Sequence, residues 1–252
     1  MINNKTVEEG SKIAKRGFEK EEYVVIKFNN WQQDLDAQQW LRLMSYNLKE
    51  IEYVRAEKIK GSYKSDVQVQ VSIKLKSCID VENLQVKLVS NEKGFNQIDK
   101  RWIDKYIELW NIPEEVSYLL KQYTGEVLPT RETKDKRRTF ANEFNESEQK
   151  TLLNWFEENK IMIVSDILKG RGRFAAEWIL VIREIRDSEE WVLKPINEAI
   201  NFFGNGKVLI TSRGNILIGK ITMQRKGGDG GRDTARMLQF KINPAKLFNL
   251  SK

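Results

Sequence analysis

Apolar residues recur along this chain at two different periods, and the changes of period divide it into elements. Residues 7–28 carry an imperfect helical stripe of Ile13, Ala14, Phe18, Val24, Val25 and Phe28, interrupted by Gly17. Between Asp34 and Ile51, Trp40, Leu41, Met44, Leu48 and Ile51 return at spacings of three and four, which predicts a second helix. Tyr53–Ile59 reads as a strand. The period then falls to two: Val67, Val69, Val71, Ile73 and Leu75 alternate with Gln68, Gln70, Ser72 and Lys74, the pattern of a strand with one apolar face. Leu84–Val89 reads as its neighbour. Further on, the spacing predicts helices over Ile98–Trp110, from Pro113 through Tyr123, over Glu146–Lys160 and over Trp191–Phe203. Short apolar runs predict strands at Ile161–Val164, Phe174–Ile185, Lys207–Thr211, Ile216–Arg225 and Met237–Ile242. The sum is an α/β (α+β) chain with a mixed sheet flanked by helices and a β-rich C-terminal part. No internal repeat or long linker divides it, so a single compact domain over 1–252 is expected. Its parts are a core of about 1–110, a helical region with basic loops of about 111–205, and a C-terminal hairpin region of about 206–252.

Composition narrows the chemistry. The chain has 252 residues, 40% of them hydrophobic, with 7 Trp and 11 Phe, enough for a sizeable core. The formal net charge of +7 favours a polyanionic partner. There is no histidine, which excludes Ser-His-Asp and Cys-His catalysis, zinc sites with histidine ligands, and nucleases with a histidine base. Cys78 is the sole cysteine, so no internal disulfide forms, and a small buried or half-buried side chain is the expectation for it. The first residues, MINNKTVEEG, lack an apolar signal core, and no run of about eighteen apolar residues follows, so a cytoplasmic protein without a membrane partner is expected.

Hydrolysis in such a chain must rest on carboxylates, amides, lysines and a hard metal ion. Asp66 stands at the head of the alternating strand, and Gln85 and Lys87 share one face of the next strand. A carboxylate and an amide oxygen suit Mg²⁺, and a neighbouring lysine can hold an attacking water. The trio resembles the PD-(D/E)XK nuclease core, with Ser65 where proline is usual and Gln85 where an acid is usual. The spacing alone favours a plain hairpin with a polar end over a catalytic trio. Glu21 is the choice for an accessory metal ligand, against a reading of Glu19, Glu21 and Glu22 as surface partners of Lys15, Lys20 and Lys27. In the loop Asn91–Gln97, Phe95 either wedges between bases or tucks into the core with Gly94 forming a turn, while Asn96 and Gln97 can reach base edges. Basic segments follow at Arg131–Arg138 and Lys169–Arg173. Six basic residues against two aspartates lie within Lys220–Lys241. Ser212, Arg213, Arg225, Lys226 and Arg232 are the candidates there for DNA contact, against a solvated hairpin.

Taken together, YKSDVQVQV, NLQVKLVSNEKGFNQIDKRW, TKDKRR, DILKGRGRFAAEW and QRKGGDGGRDTARMLQFKI resemble the type II restriction endonucleases built on a PD-(D/E)XK core, most of all the subgroup cutting GCGC. The similarity runs from about Gly10 to Leu250. It implies Mg²⁺ bound by Asp66, Gln85 and the main-chain carbonyl of Val86, with Lys87 activating water. It also implies Phe95 inserted into DNA, Gln97 reading a base, and a host methyltransferase protecting the same site. That subgroup itself has glutamine at the position of Gln85. Double-stranded DNA is the expected partner, a homodimer suits a palindromic site, and no protein partner is required. Two rival readings are a DNA-binding protein without catalysis and a structure-specific repair nuclease.

Overall fold

The computed structural model describes residues 4–59, 69–91, 93–185, 188–228 and 231–251. The chain separates into two compact units. One comprises Glu9–Asn96, Lys169–Ala199 and Asn243–Lys252, the other Met1–Glu8, Gln97–Leu168 and Ile200–Ile242. Among the described residues no helix is long and apolar enough to cross a membrane.

The first unit is built on a five-stranded mixed sheet. Helix α1 (Asn4–Asn29) and helix α2 (Leu35–Leu43) precede strands β1 (Ile51–Lys58), β2 (Val69–Leu75) and β3 (Ile79–Val89). After a long excursion the chain returns with β5 (Trp178–Ile185) and β6 (Ser188–Pro195), giving the order β1-β2-β3-β5-β6. The β3–β5 pair is parallel and the other three pairs are antiparallel. One sheet face, carrying Val69, Val71, Ile73, Leu84, Val86, Leu180 and Ile182, closes on Val24, Phe28, Trp40 and Leu41 of the helices. Phe28 and Trp40 meet with ring centroids 5.2 Å apart, and Trp191 stands edge-on to Trp40 at 5.7 Å. Asn29 locks the end of α1 to β1: its Nδ2 donates to the Ala56 carbonyl at 3.1 Å and its Oδ1 accepts from the Ala56 N–H at 2.7 Å.

The predicted helix over 34–51 is shorter than its apolar spacing suggests. Asp34 caps α2, accepting from the Ala37 N–H, but the chain turns at Ser45 with φ 71° and enters β1 at Ile51. Leu48 lies in a single tight turn and Ile51 in the sheet, so their helical spacing is coincidental. Cys78 is exposed, not buried: it sits in the β2–β3 turn, where its carbonyl accepts from the Leu75 N–H at 2.9 Å.

The second unit holds β4 (Asn96–Arg101), α3 (Ile103–Trp110), α4 (Glu114–Thr124), α5 (Glu146–Glu158), α6 (Lys160–Leu168), the end of α7 (Ile196–Gly204), and β7 (Val208–Ile210), β8 (Ile216–Ile218), β9 (Ile221–Arg225) and β10 (Leu238–Ile242). Its sheet runs β4-β10-β9-β8-β7. Three expectations change. Residues 98–110 split into a strand and a helix, because Asp99 is drawn into the interior, where it accepts from the Tyr106 hydroxyl at 2.6 Å and pairs with Arg101 at 3.0 Å. Ile161–Val164 is helical: in α6 the buried residues are Ile163, Val164, Ile167 and Leu168, a spacing of one and four. Residues 191–195 complete β6, and the helix starts only after Pro195.

Helix α5 begins with a capping box, Asn145 accepting from the Glu148 N–H and Glu148 from the Asn145 N–H. Arg131 also grips Glu148 with both Nη atoms, at 2.6 and 2.5 Å, and this pairing holds the Glu148 carboxyl below the ordinary glutamate range. A depressed carboxylate stabilises the fold above the unfolded-state value of about 4.3 and ceases to as pH falls through the folded value. Glu148→Gln preserves the capping geometry and removes the charge. The expected result is a Tm lowered by about 1–3 °C at pH 7, with the gap to wild type closing as pH falls below about 4 in thermal melts.

Candidate active site

Strand β3 lies in the middle of the first unit's sheet, between β2 and β5. Leu84 and Val86 point into the helix-covered core, so Asn83, Gln85 and Lys87 share the opposite face. The three are 5%, 0% and 6% exposed, a polar row buried in the sheet centre. On the parallel partner, Ile179 stands beside Gln85 and Val181 beside Lys87, both fully buried. Burying a lysine and an amide on a central strand carries a desolvation cost.

Asn83 continues the row and was absent from the candidates read from sequence. Its signal was present, since Asn83, Gln85 and Lys87 keep the same period-two phase in NLQVK. Its Oδ1 accepts from Gln70 at 2.9 Å, and its Nδ2 donates to the carbonyls of Arg173 and Ala175 at 3.0 and 3.2 Å. Its N–H donates to Glu177 at 2.9 Å. Asn83 thereby fixes the basic turn after Lys169 to the end of the row. Burial, with Glu82 nearby, raises the Glu177 carboxyl above its ordinary value. Glu82 is itself held by the Tyr46 hydroxyl at 2.7 Å and the Trp178 Nε1–H at 2.8 Å. A cleft of about 950 Å³ opens at this end of the sheet, lined by Glu22, Lys58, Gln70, Val81, Arg173 and Phe174 among others.

Asp66 lies outside the described residues. Glu21 pairs with Lys58 at 3.5 Å, not with Lys15, Lys20 or Lys27. Among the described residues no cluster of three acidic, histidine or cysteine side chains stands ready for a metal. The donors present, the Gln85 amide oxygen and the Val86 carbonyl, are hard and neutral. They fit a hard divalent ion, with its counter-charge left to a carboxylate such as Asp66.

Phe95 is 53% exposed, so it is not tucked into the core. Gly94 does make a turn, its N–H donating to the Asn91 carbonyl at 2.9 Å. Asn96 is half-buried and spends its Nδ2 on the Leu88 carbonyl at 3.0 Å, while Gln97 is half-buried at the start of β4. In the second unit, Ser212 and Arg213 are exposed in the β7–β8 turn, where the Ser212 carbonyl accepts from Asn142 at 3.1 Å. Arg225 ends β9, Lys226 follows with its N–H on the Met237 carbonyl, and Arg232 is exposed in the glycine-rich connection to β10.

This fold recurs in a solved structure, that of restriction endonuclease MspI in complex with its cognate DNA. The likeness has a TM-score of 0.66 at 15% identity and covers 93% of this chain and 92% of that one, a resemblance of fold. No curated protein matches the sequence. A model of the R.HinP1I restriction endonuclease family matches residues 44–248, a span that includes β3, its polar row and the basic segments that follow. That match decides between the rival readings: the chain belongs to the R.HinP1I restriction endonuclease family and is a type II restriction endonuclease, a hydrolase acting on the phosphodiester bonds of DNA.

Proposed function

We propose that the enzyme cuts double-stranded DNA at GCGC in the presence of Mg²⁺, as the restriction half of a restriction-modification system whose methyltransferase protects the same site. The buried Gln85–Lys87 pair on β3 carries this reading, because few needs other than catalysis keep an amide and an ammonium in a sheet centre. Asp66 completes the site. Asp66, Gln85 and the Val86 carbonyl would hold the metal, which would supply Lewis-acid stabilisation of charge on the phosphate. Lys87 orients the attacking water with its ammonium and offsets negative charge in the transition state. Burial keeps that ammonium from swinging into solvent. Catalysis belongs to the unit with the β1-β2-β3-β5-β6 sheet, and recognition to the exposed loops, including the glycine-rich connection between β9 and β10.

The cognate DNA held by MspI supports a duplex as the partner. Phe95, exposed on its turn, inserts into that duplex, and Gln97 reads a base edge. Phe95→Ala is expected to weaken duplex binding about tenfold, measured by fluorescence anisotropy in EDTA, with an unchanged Tm. The overall reading is tested by digesting a plasmid of known sequence with Mg²⁺ and with EDTA. Metal-dependent fragments whose ends map to GCGC are expected. Discrete fragments ending elsewhere overturn the site, and a smear overturns site-specific cutting.

A further inference from the structure

The basic run 131–138 is solvated only in part: Lys134, Lys136 and Arg137 are exposed in the second unit, whereas Arg138 is packed. It is pinned to α4: the Thr139 N–H donates to the Gln122 carbonyl at 2.9 Å, and both residues are buried. Within the run, Asp135 is spent on Arg137, which it meets at 2.8 and 3.0 Å. Arg138 is left with a side chain only 14% exposed and its nearest carboxylate, the same Asp135, at 4.0 Å. Its guanidinium lies over the Phe140 ring at 3.8 Å and 5.9 Å from that of Tyr123. Arg225 ends β9 two residues after Met223, whose carbonyl accepts from the hydroxyl of that same Tyr123 at 3.1 Å. Among the described residues it has no carboxylate within ion-pair distance, and the Nε atoms of both Arg138 and Arg225 are buried without a hydrogen-bond partner. Burial and then the Arg138 and Arg137 charges press the Arg225 value downward, with Asp135 opposing. Burial likewise lowers Arg138. An arginine cannot relieve this by losing its proton. Three guanidinium groups thus gather around one carboxylate, Asp135, and the cluster keeps a net positive charge.

We infer that Arg138 and Arg225 form a preassembled clamp for one backbone phosphate of the bound DNA. The inference rests on the reading of the substrate as duplex DNA. A phosphate, with several acceptor oxygens, accepts two guanidinium forks at once, whereas a guanine edge accepts one. The rigid setting of Arg138 on Phe140 suits a contact that fixes register, the role of backbone contacts in protein–DNA complexes.

The test is equilibrium binding in EDTA of the full chain to a duplex containing GCGC and to one of equal length without it, between about 50 and 200 mM salt. Arg225→Gln and Arg138→Gln are each expected to weaken both duplexes by the same factor, about tenfold, and to reduce the slope of log affinity against log salt by about 0.9. Arg225→Lys keeps the charge and is expected to keep the slope. Because Arg138 packs on an aromatic ring, Arg225→Gln alone decides the question if the Arg138 variant melts early. A loss confined to the GCGC duplex makes the pair a base reader and overturns the clamp, as does an unchanged slope. A thermal stabilisation by millimolar inorganic phosphate that Arg225→Gln abolishes, with the DNA slope unchanged, identifies a free-anion site and also overturns it. Failure of the wild type to bind either duplex in a salt-dependent way sinks the DNA reading itself.

Discussion

Lys87→Met is expected to lower single-turnover cleavage at least roughly a thousandfold, while duplex binding in EDTA stays within a few-fold of wild type. Lys87 sits on the central strand with 6% of its surface exposed, next to the fully buried Gln85. Methionine has a similar length and no charge, so it fills the same space between β2 and β5. What disappears is the ammonium that orients water and meets the developing negative charge. Such terms act where water is excluded, and there they are large. Binding is expected to survive because it draws on the basic loops, not on one buried lysine. Asp66→Ala should give the same pattern. Lys87→Arg separates charge from position: it keeps a cation, yet its planar fork does not fit the space of an ammonium, so it should remain strongly impaired. Metal-dependent cutting retained in both Lys87→Met and Asp66→Ala would remove the catalytic assignment.

The sheet that carries this site was legible in part: β2 keeps strict alternation and β5 reads as a continuous apolar run, whereas β6 was taken into a predicted helix. Val69, Val71 and Ile73 are in the core as their phase requires, and the same rule put Gln85 and Lys87 on one face. The errors lie where the two periods cannot be told apart over a short run. Ile161–Val164 is apolar throughout, and only the buried Ile167 and Leu168 beyond it reveal a helix. At 98–110 the buried Asp99 is invisible to hydrophobic periodicity, since its burial depends on Tyr106 and Arg101 supplying partners. The Arg138–Arg225 site was hidden for another reason. The two residues are 87 positions apart, and a run such as KDKRR gives no indication of which arginine is exposed and which is packed. Asn83 was missed although its phase was plain, because its value lies in holding the Arg173 and Ala175 carbonyls, a contact spanning about 90 positions.

Gly125→Ala is expected to destabilise the protein by about 3–5 kcal/mol, a Tm loss on the order of 10 °C. Gly125 ends α4 in the left-handed conformation at φ 81° and ψ 21°, its N–H donating to the carbonyls of Lys121 and Gln122. Alanine in that conformation costs about 1–2 kcal/mol. The larger problem is space, because a Cβ built there would stand 2.2 Å from the Arg137 carbonyl oxygen. That oxygen belongs to a backbone held by the Thr139–Gln122 hydrogen bond, so relief requires moving the whole basic segment off α4. The two contributions can be separated. Asparagine tolerates the left-handed region but still carries a Cβ, so Gly125→Asn should be about as damaging as alanine. Gly172 provides the contrast: its φ is 75°, with nothing within 4 Å of a built Cβ, so Gly172→Asn should cost well under about 1 kcal/mol. Urea unfolding of the four proteins reads both comparisons. Should Gly125→Asn recover most of the loss seen with alanine, conformation alone is the constraint and the basic segment is free to shift. Should it fail to, the packing of Arg137 against α4 is what holds the adjacent Arg138 in place, and the same variants should then also weaken duplex binding.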